Sequence, residues 1–327
     1  MTSSDAGSYI ALSGGVGGGR FAYGLSRCLA SERLLIAVNT GDDFRHLGLA
    51  ISPDIDTVTY ALAELDDIER GWGRSEESWR CMDVLKTLGG PDWFQLGDCD
   101  LALHLHRTEC LRNGDSLGAV TRQICERLGV PHRVVPMSDD EVRTFIHTGD
   151  AVIAFQDYFV RQQCRPQATG FEYRGAGSAA VQPDLGRALA DPGLRGIVIC
   201  PSNPWLSIEP MLAVPGIAEG ISAAHVPVAV VCPIVGGKAI KGPTAKLMKE
   251  MGLESSALEI ARHYAAYADL FVIDEADRPL AGDIGALGME VLVTDTIMDS
   301  RAARIRLARA VIDALEGRPA AAPVPGR

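Results

Sequence analysis

The sequence predicts an α/β fold, a Rossmann-like, doubly wound and mostly parallel sheet with an inserted helical cluster. Three observations predict it. Short continuous apolar runs end in Gly, Pro, Asp or Asn; helix-patterned stretches separate most of them; and the first run leads straight into a glycine-rich turn. Unbroken apolar runs mark strands covered on both faces, as in parallel sheets, and their alternation with helical periods builds βαβ units. With 327 residues, 47% of them hydrophobic, the chain can bury a core of that size.

In chain order, Tyr9–Leu12 reads as the first strand, "SGGVGGGR" as the turn after it, and Phe21–Ala30 as the first helix. Leu34–Asn39 is the second strand. From about Thr57 to Leu128 the pattern is helical without a clear strand, which predicts an insertion at this point. The pieces "RVVPM", "TFIHTG" and "AVIAFQDYFV" between Arg133 and Tyr173 predict a small sheet or hairpin beside the main one. Gly196–Cys200, Val226–Ile234, Leu270–Ile273 and Val291–Thr294 supply the remaining strands, with helices at Thr244–Met251, Ala257–Ala266 and Arg301–Leu315. The expected organisation is one domain over 8–316, with a Rossmann-like core at 8–56 and 130–316 and the helical insertion at about 57–129. The Pro/Ala-rich tail 317–327 has no packable face and is expected to be mobile.

A formal net charge of -11 argues against broad nucleic-acid binding, so an anionic ligand has to be held by a local cluster of N–H groups, basic side chains or a metal. Eight cysteines without a CxxC pair suit a reducing compartment. Met1–Ser8 lacks the basic and apolar regions of an export signal, and the apolar run Val226–Val235 is too short for a bilayer. A cytoplasmic protein with no membrane and no nucleic-acid partner is expected.

A strand, a glycine turn and a helix start converge unpaired N–H groups and the helix dipole on one point, which makes an anion site. Gly14 to Gly19 match the GxxxxG of a Walker loop, but Arg20 and Phe21 stand where Lys and Ser/Thr belong. Gly15 and Gly17 fit a dinucleotide fingerprint, but Arg20 takes the third glycine position. Neither motif is intact, which weighs against a nicotinamide oxidoreductase. A tight turn explains one or two glycines but not five, so Gly14, Gly15, Val16, Gly17 and Gly18 are read as a phosphate or diphosphate cradle, with Arg20 as a possible added contact.

After the second strand comes "NTGDDFRHLGLAISPDIDTV", where Asp42, Asp43, Asp54 and Asp56 crowd the carboxyl edge of the sheet. In open α/β sheets ligands bind at that edge. One acid would serve a dinucleotide ribose; several around a diphosphate point to Mg²⁺, a hard ion that shares carboxylate and phosphate oxygens. Asp56 as the cap of a helix starting at Thr57, and Asp54 as a turn residue, are the plain alternatives. In "LGDCDLALHLHRT", Asp98 and Asp100 precede a helix, and His104 and His106, two apart, do not share a helix face as metal ligands. Further on, Ser202, Asn203 and Pro204 follow a strand and can read a base or sugar, with Ser207 as a candidate helix cap. Gly236, Gly237, Lys238, Lys241 and Lys246 form a local positive cluster that favours a phosphate-bearing partner.

Taken together, "SGGVGGGRF", "VNTGDD", "ISPDIDTVTYAL", "RGWG", "PDWFQLGDCDLALHLHRT", "PMSDD", "FQDYFV", "PSNPWLSIEPML" and "CPIVGGKAIKGP" resemble the 2-phospho-L-lactate transferase family of coenzyme F-420 biosynthesis. The resemblance implies a Mg²⁺-dependent homodimer that moves a phospho-three-carbon-acid group from a guanosine diphosphate donor to the ribityl hydroxyl of the deazaflavin Fo, releasing GMP. The three-carbon acid is phospholactyl, phosphoenolpyruvyl or 3-phosphoglyceryl. Carried over by position, the glycine turn holds the diphosphate, and Ser202, Asn203 and Pro204 frame the guanosine; Arg20, Gly236 and Lys238 complete the candidate donor- and nucleotide-binding set. Asp42 and Asp54 are the metal ligands. Asp43, Asp56 and Asp98 face the acceptor, and the catalytic set is Asp42, Asp54 and Asp56. One position departs from the family pattern: Cys99 stands where GDRD has an arginine of the deazaflavin site. The alternative function, on the same fold, is a nucleotide-sugar-binding regulator.

Overall fold

The computed structural model describes residues 7–317. Seven parallel strands form the central sheet: β1 (Ser8–Ser13), β2 (Leu34–Val38), β3 (Arg133–Pro136), β4 (Leu194–Ile199), β5 (Val228–Val231), β6 (Leu270–Ile273) and β7 (Glu290–Val293). Their spatial order is β7-β6-β5-β4-β1-β2-β3, and every neighbouring pair is parallel. The chain winds from β1 through β2 to β3 on one side, then returns to place β4 on the other side of β1. The β1/β4 boundary is therefore the topological switch point, where loops diverge and leave a crevice.

Both faces of the sheet are covered, which is why its strands read as unbroken apolar runs. Ile10, Leu12, Leu35, Ile197, Ile199 and Val230 point into one buried cluster, and Tyr9, Ala11, Leu34, Ile36, Val198 and Val231 into the other. Three small antiparallel sheets flank it: Phe44–His46 with Leu49–Ile51, Ile234–Val235 with Lys238–Ala239, and Arg143–Thr148 between Val152–Ala154 and Ala168–Arg174.

The doubly wound layout matches the fold class read from the sequence, with local differences. "RVVP" is not part of the small sheet: it is β3, the edge strand beside β2. The run Val226–Ile234 is broken, because Pro233 offers no N–H to a ladder, so β5 stops at Val231 and Ile234 enters a separate ribbon. The first helix, α1 (Gly15–Cys28), begins six residues before Phe21, taking the glycines into its first turns. The helix expected from Thr57 is α2 (Pro53–Leu62), whose Pro53 has the φ that a first helical position needs. Three more helices follow, α3 (Arg80–Thr87), α4 (Asp98–Arg112) and α5 (Leu117–Arg127). Residues 318–327, which hold nearly all of the expected tail, lie outside the described residues. Among the described residues no helix is long and apolar enough to cross a membrane.

Helix α1 is pressed between α2 and the helix Arg301–Glu316, and glycine permits that approach. A Cβ on Gly24 would overlap the Arg304 carbonyl oxygen, a backbone atom that cannot swing away. Alanine is the better helix former, but the overlap dominates. Gly24→Ala is expected to cost about 1–3 kcal/mol, read as a lower melting temperature; an unchanged or raised one would refute the close packing.

Candidate functional site

A cavity of about 710 Å³ opens at the carboxyl ends of the strands, across the switch point. Gly14–Gly17 after β1, Asp42 after β2, Pro201–Asn203 after β4, Cys232 and Pro233 after β5, and Thr296–Asp299 after β7 all line it.

At its floor Gly14 is extended (φ -162°) and Gly15 turns left-handed (φ 63°) to start α1. Gly14 has no side chain to cap the helix, and the first turn carries no acid of its own. Ser202 Oγ accepts from Gly14 N (3.1 Å) and donates to Gly14 O (2.8 Å), tying the turn to the β4 loop. Asp54 Oδ1 accepts from Gly15 N at 2.7 Å. The next N–H groups, of Val16 and Gly17, have no intrahelical acceptor by the geometry of a helix start and lie at the cavity wall.

Most of these glycines are required by packing as well. A Cβ on Gly14 would stand 2.6 Å from Asp54 Oδ2, one on Gly17 would overlap the Pro201 carbonyl, and one on Gly18 would stand 2.6 Å from both Ser13 Oγ and Ser202 Oγ. As expected, turn geometry requires few of the glycines, Gly15 alone having a positive φ; close approach of α1 to its neighbours accounts for Gly14, Gly17 and Gly18. Gly18 faces Ser13 and Ser202 and is not among the residues lining the cavity.

Asp42 and Asp54 stand side by side. One amide serves both, Asn39 Nδ2 donating to Asp42 Oδ1 (3.2 Å) and to Asp54 Oδ2 (2.9 Å). Burial, reinforced by the charge of Asp54, holds the Asp42 carboxyl well above the usual range. Burial likewise lifts Asp54 to about 6, against the pull of Asn39 and of the Gly15 N–H. Asp43 lies behind them, outside the lining, with Oδ2 accepting from Ser52 Oγ (2.7 Å) and burial raising it to about 7.

Asp56 does line the cavity, but both of its oxygens are taken by Arg107, with Nη1 at 3.0 Å from Oδ2 and Nη2 on Oδ1. It does not cap a helix at Thr57; it sits in the first turn of α2. The guanidinium is 0% exposed and also donates to His104 Nδ1 at 3.2 Å. Because arginine can only donate, that nitrogen accepts and the ring proton sits on Nε2, 3.3 Å from Asp100 Oδ2. Asp100 Oδ1 accepts from Tyr60 OH at 2.5 Å. Burial pushes Asp100 up, but His104, Tyr60 and Arg107 outweigh it and hold the carboxyl below its ordinary value.

Sequence reasoning singled out Asp98 of this acidic pair. The structure turns Asp98 to solvent, where it accepts from Ser78 Oγ and from Cys81 N (3.1 Å), and turns Asp100 and His104 into the cavity. Neither acid caps α4: Glu77 does, accepting from Cys99 N and Asp100 N, each at 2.8 Å. Cys99 is half-buried outside the lining. Asn203 lines the cavity, and its Oδ1 caps the turn Pro204–Ile208 through Trp205 N and Leu206 N, a role expected of Ser207. Pro204 is buried within that turn and away from the lining. Gly236 and Lys238 also lie outside it: Gly236 N donates to Asp277 (3.0 Å), and Lys238 is exposed on the ribbon. Lys241 lines the cavity in their place.

The far wall is aromatic. Phe155 and Phe159 stack at 5.3 Å, His46 meets Trp93 edge-on at 5.1 Å, and Phe44 meets Phe94 at 4.8 Å. Of these, Trp93, Phe94, Phe155 and Phe159 face the cavity, with Trp72 at its mouth.

The chain is similar to the family described as 2-phospho-L-lactate transferase CofD over residues 10–302. It is 37% identical over 313 residues to a phosphoenolpyruvate transferase of Kitasatospora aureofaciens, covering 92% of this chain and 97% of that one. It is 35% identical over 305 residues to a 2-phospho-L-lactate transferase of Methanosarcina mazei, covering 93% and 99%. A solved structure of a UPF0052-family protein from Bacillus halodurans shares the fold, with a TM-score of 0.60 at 14% identity over 94% of this chain and 98% of that one. Relatives this similar along almost their whole length show that the chain belongs to the 2-phospho-L-lactate transferase CofD family, as an enzyme of the phosphotransferase kind.

Proposed function

We propose that this enzyme moves a phospho-three-carbon-acid group from a guanosine diphosphate donor to the ribityl hydroxyl of the deazaflavin Fo, in coenzyme F-420 biosynthesis. The observation that carries the reading is one cavity with two chemically opposite ends. The Val16 and Gly17 N–H groups at the start of α1 and the Asp42/Asp54 pair suit a diphosphate, while Trp93, Phe94, Phe155 and Phe159 suit a flat heterocycle.

Asp42 and Asp54 fit a divalent cation, since both are buried, both line the cavity, and one shared amide leaves two carboxylates in one place without a countercharge. When bound there, Mg²⁺ would neutralise charge on the diphosphate oxygens. The Val16 and Gly17 N–H groups hold phosphate oxygens at the positive end of α1. Transfer forms a bond from the acceptor oxygen to the phosphorus bearing the three-carbon acid and breaks that phosphorus's bond to the oxygen of GMP, which leaves. Such a loose transition state mainly requires alignment and charge stabilisation. Asp100, steadied by Tyr60 and His104, holds the attacking hydroxyl and accepts its proton late.

Incubation with Fo, Mg²⁺ and each of the phospholactyl, phosphoenolpyruvyl and 3-phosphoglyceryl guanosine donors, followed by mass spectrometry, tests the reading and identifies the acid. No adduct of Fo with any donor would overturn it. The division of labour between the two acids of α4 gives a further expectation: Asp100→Asn lowers kcat by about a hundredfold or more, whereas Asp98→Ala stays within about threefold, a surface-like effect. The reverse ranking would return the acceptor role to Asp98.

A further inference from the structure

We propose that Arg20 and Lys241 together form a carboxylate clamp that recognises the three-carbon acid of the donor; this rests on the donor class proposed above. Among the described residues, Arg20 and Lys241 are the only arginine and lysine lining a cavity that also presents five aspartates. They are close together: the place where a Cβ on Gly71 would stand is in contact with Lys241 Nζ and 3.9 Å from Arg20 Nη2. Among the described residues neither is paired with a carboxylate. Arg20 Nη1 donates to the Met298 carbonyl at 3.4 Å, and Lys241 Nζ to the Gly71 carbonyl at 3.2 Å. The nearby Asp66 is engaged by Arg304 at 3.0 Å, and Asp66 and Asp299 act on Arg20 through their charge without a direct ion pair to it.

Each cation is hydrogen-bonded to a carbonyl and to no carboxylate; burial and the charge of Arg20 hold the Lys241 ammonium below its ordinary value, and an anion placed between the two offsets that repulsion. The position of the pair says which anion. Val16 and Arg20 are four residues apart on the same face of α1, about 5–6 Å between Cβ atoms. A phosphate held at the Val16 N–H therefore has Arg20 one turn further along. In the donor, the ionised group next to the transferred phosphorus on the side away from GMP is the carboxylate of the three-carbon acid. Lys241 arrives from the loop after the ribbon Ile234–Val235/Lys238–Ala239 and approaches from the opposite side, next to Gly71. The arrangement suits a planar carboxylate bound by the arginine fork with the lysine as a point charge.

The test measures binding by calorimetry of two probes, the phospholactyl guanosine diphosphate and its carboxyl-free counterpart, guanosine diphosphate esterified with propan-2-ol. Wild type is expected to prefer the first by about tenfold or more. Arg20→Gln and Lys241→Gln are each expected to erase most of that preference while weakening the ester by less than about threefold. Lys241 is exposed, so its variant folds even if loss of Arg20 disturbs α1. Equal losses on both probes would assign the cations to the diphosphate and overturn the clamp, as would a wild type with no preference for the carboxylate. A wild type that shows the preference but transfers nothing to Fo would leave the clamp standing and remove the acceptor reading.

Discussion

Replacing Asp42 or Asp54 by alanine is expected to lower kcat/KM on the order of a thousandfold or more while leaving a folded protein. Both side chains line the cavity, and Asp54 accepts from Gly15 N at the start of α1. Their fold contribution runs the opposite way. Two buried acids share one Asn39 amide, and burial holds both above the ordinary carboxylate range, so the site carries a desolvation and like-charge cost that deleting one member relieves. Asp42→Asn should therefore melt no lower than wild type. Steady-state turnover combined with thermal melting checks both halves. Activity retained in either variant would take that residue out of the diphosphate end, and joint loss of activity and cooperative melting would make it structural.

Arg107→Ala is expected to remove about 3–5 kcal/mol of stability, the range for breaking a sealed ion pair, which for a chain of this size is a melting drop of roughly ten degrees. The guanidinium is 0% exposed, and the substitution strands the Asp56 carboxylate with only the His104 ring, its Nδ1 3.8 Å from Oδ2, beside it. It also removes the donor that sets the His104 tautomer, and with it one of the supports of Asp100. Replacing both partners by apolar residues of similar volume should recover much of the stability, because the cost lies in the orphaned charge more than in losing the pair. A melting point for Arg107→Ala within a degree or two of wild type would refute this account.

Much of the architecture was legible because it is local. Strand runs such as Leu34–Val38 and Leu270–Ile273 are buried on both faces and therefore carry the pattern of a parallel sheet in their own residues. β3 was misplaced because "RVVP" is short and its neighbours in the chain are strands of another sheet; only its pairing with β2 assigns it. The start of α1 was hidden by the glycines, which are poor helix formers and enter the helix because α2 and the β4 loop come too close for any side chain.

By itself the sequence determined the fold class, the edge of the sheet where the site lies, and the loops that build it, since alternation of periods and turn chemistry act over a few residues. It also carried the resemblance to the family. Only the tertiary structure decided which acids face the cavity. Asp98 and Asp100 lie about 200° apart around α4, so the roll of that helix against α2 selects one, and this roll is set by Asp56–Arg107 and Tyr60–Asp100 contacts made between helices. The same holds for Arg20 and Lys241, which meet beside Gly71 from distant parts of the chain. Side-chain direction follows from packing between elements, and packing leaves no short-range mark in the order of residues.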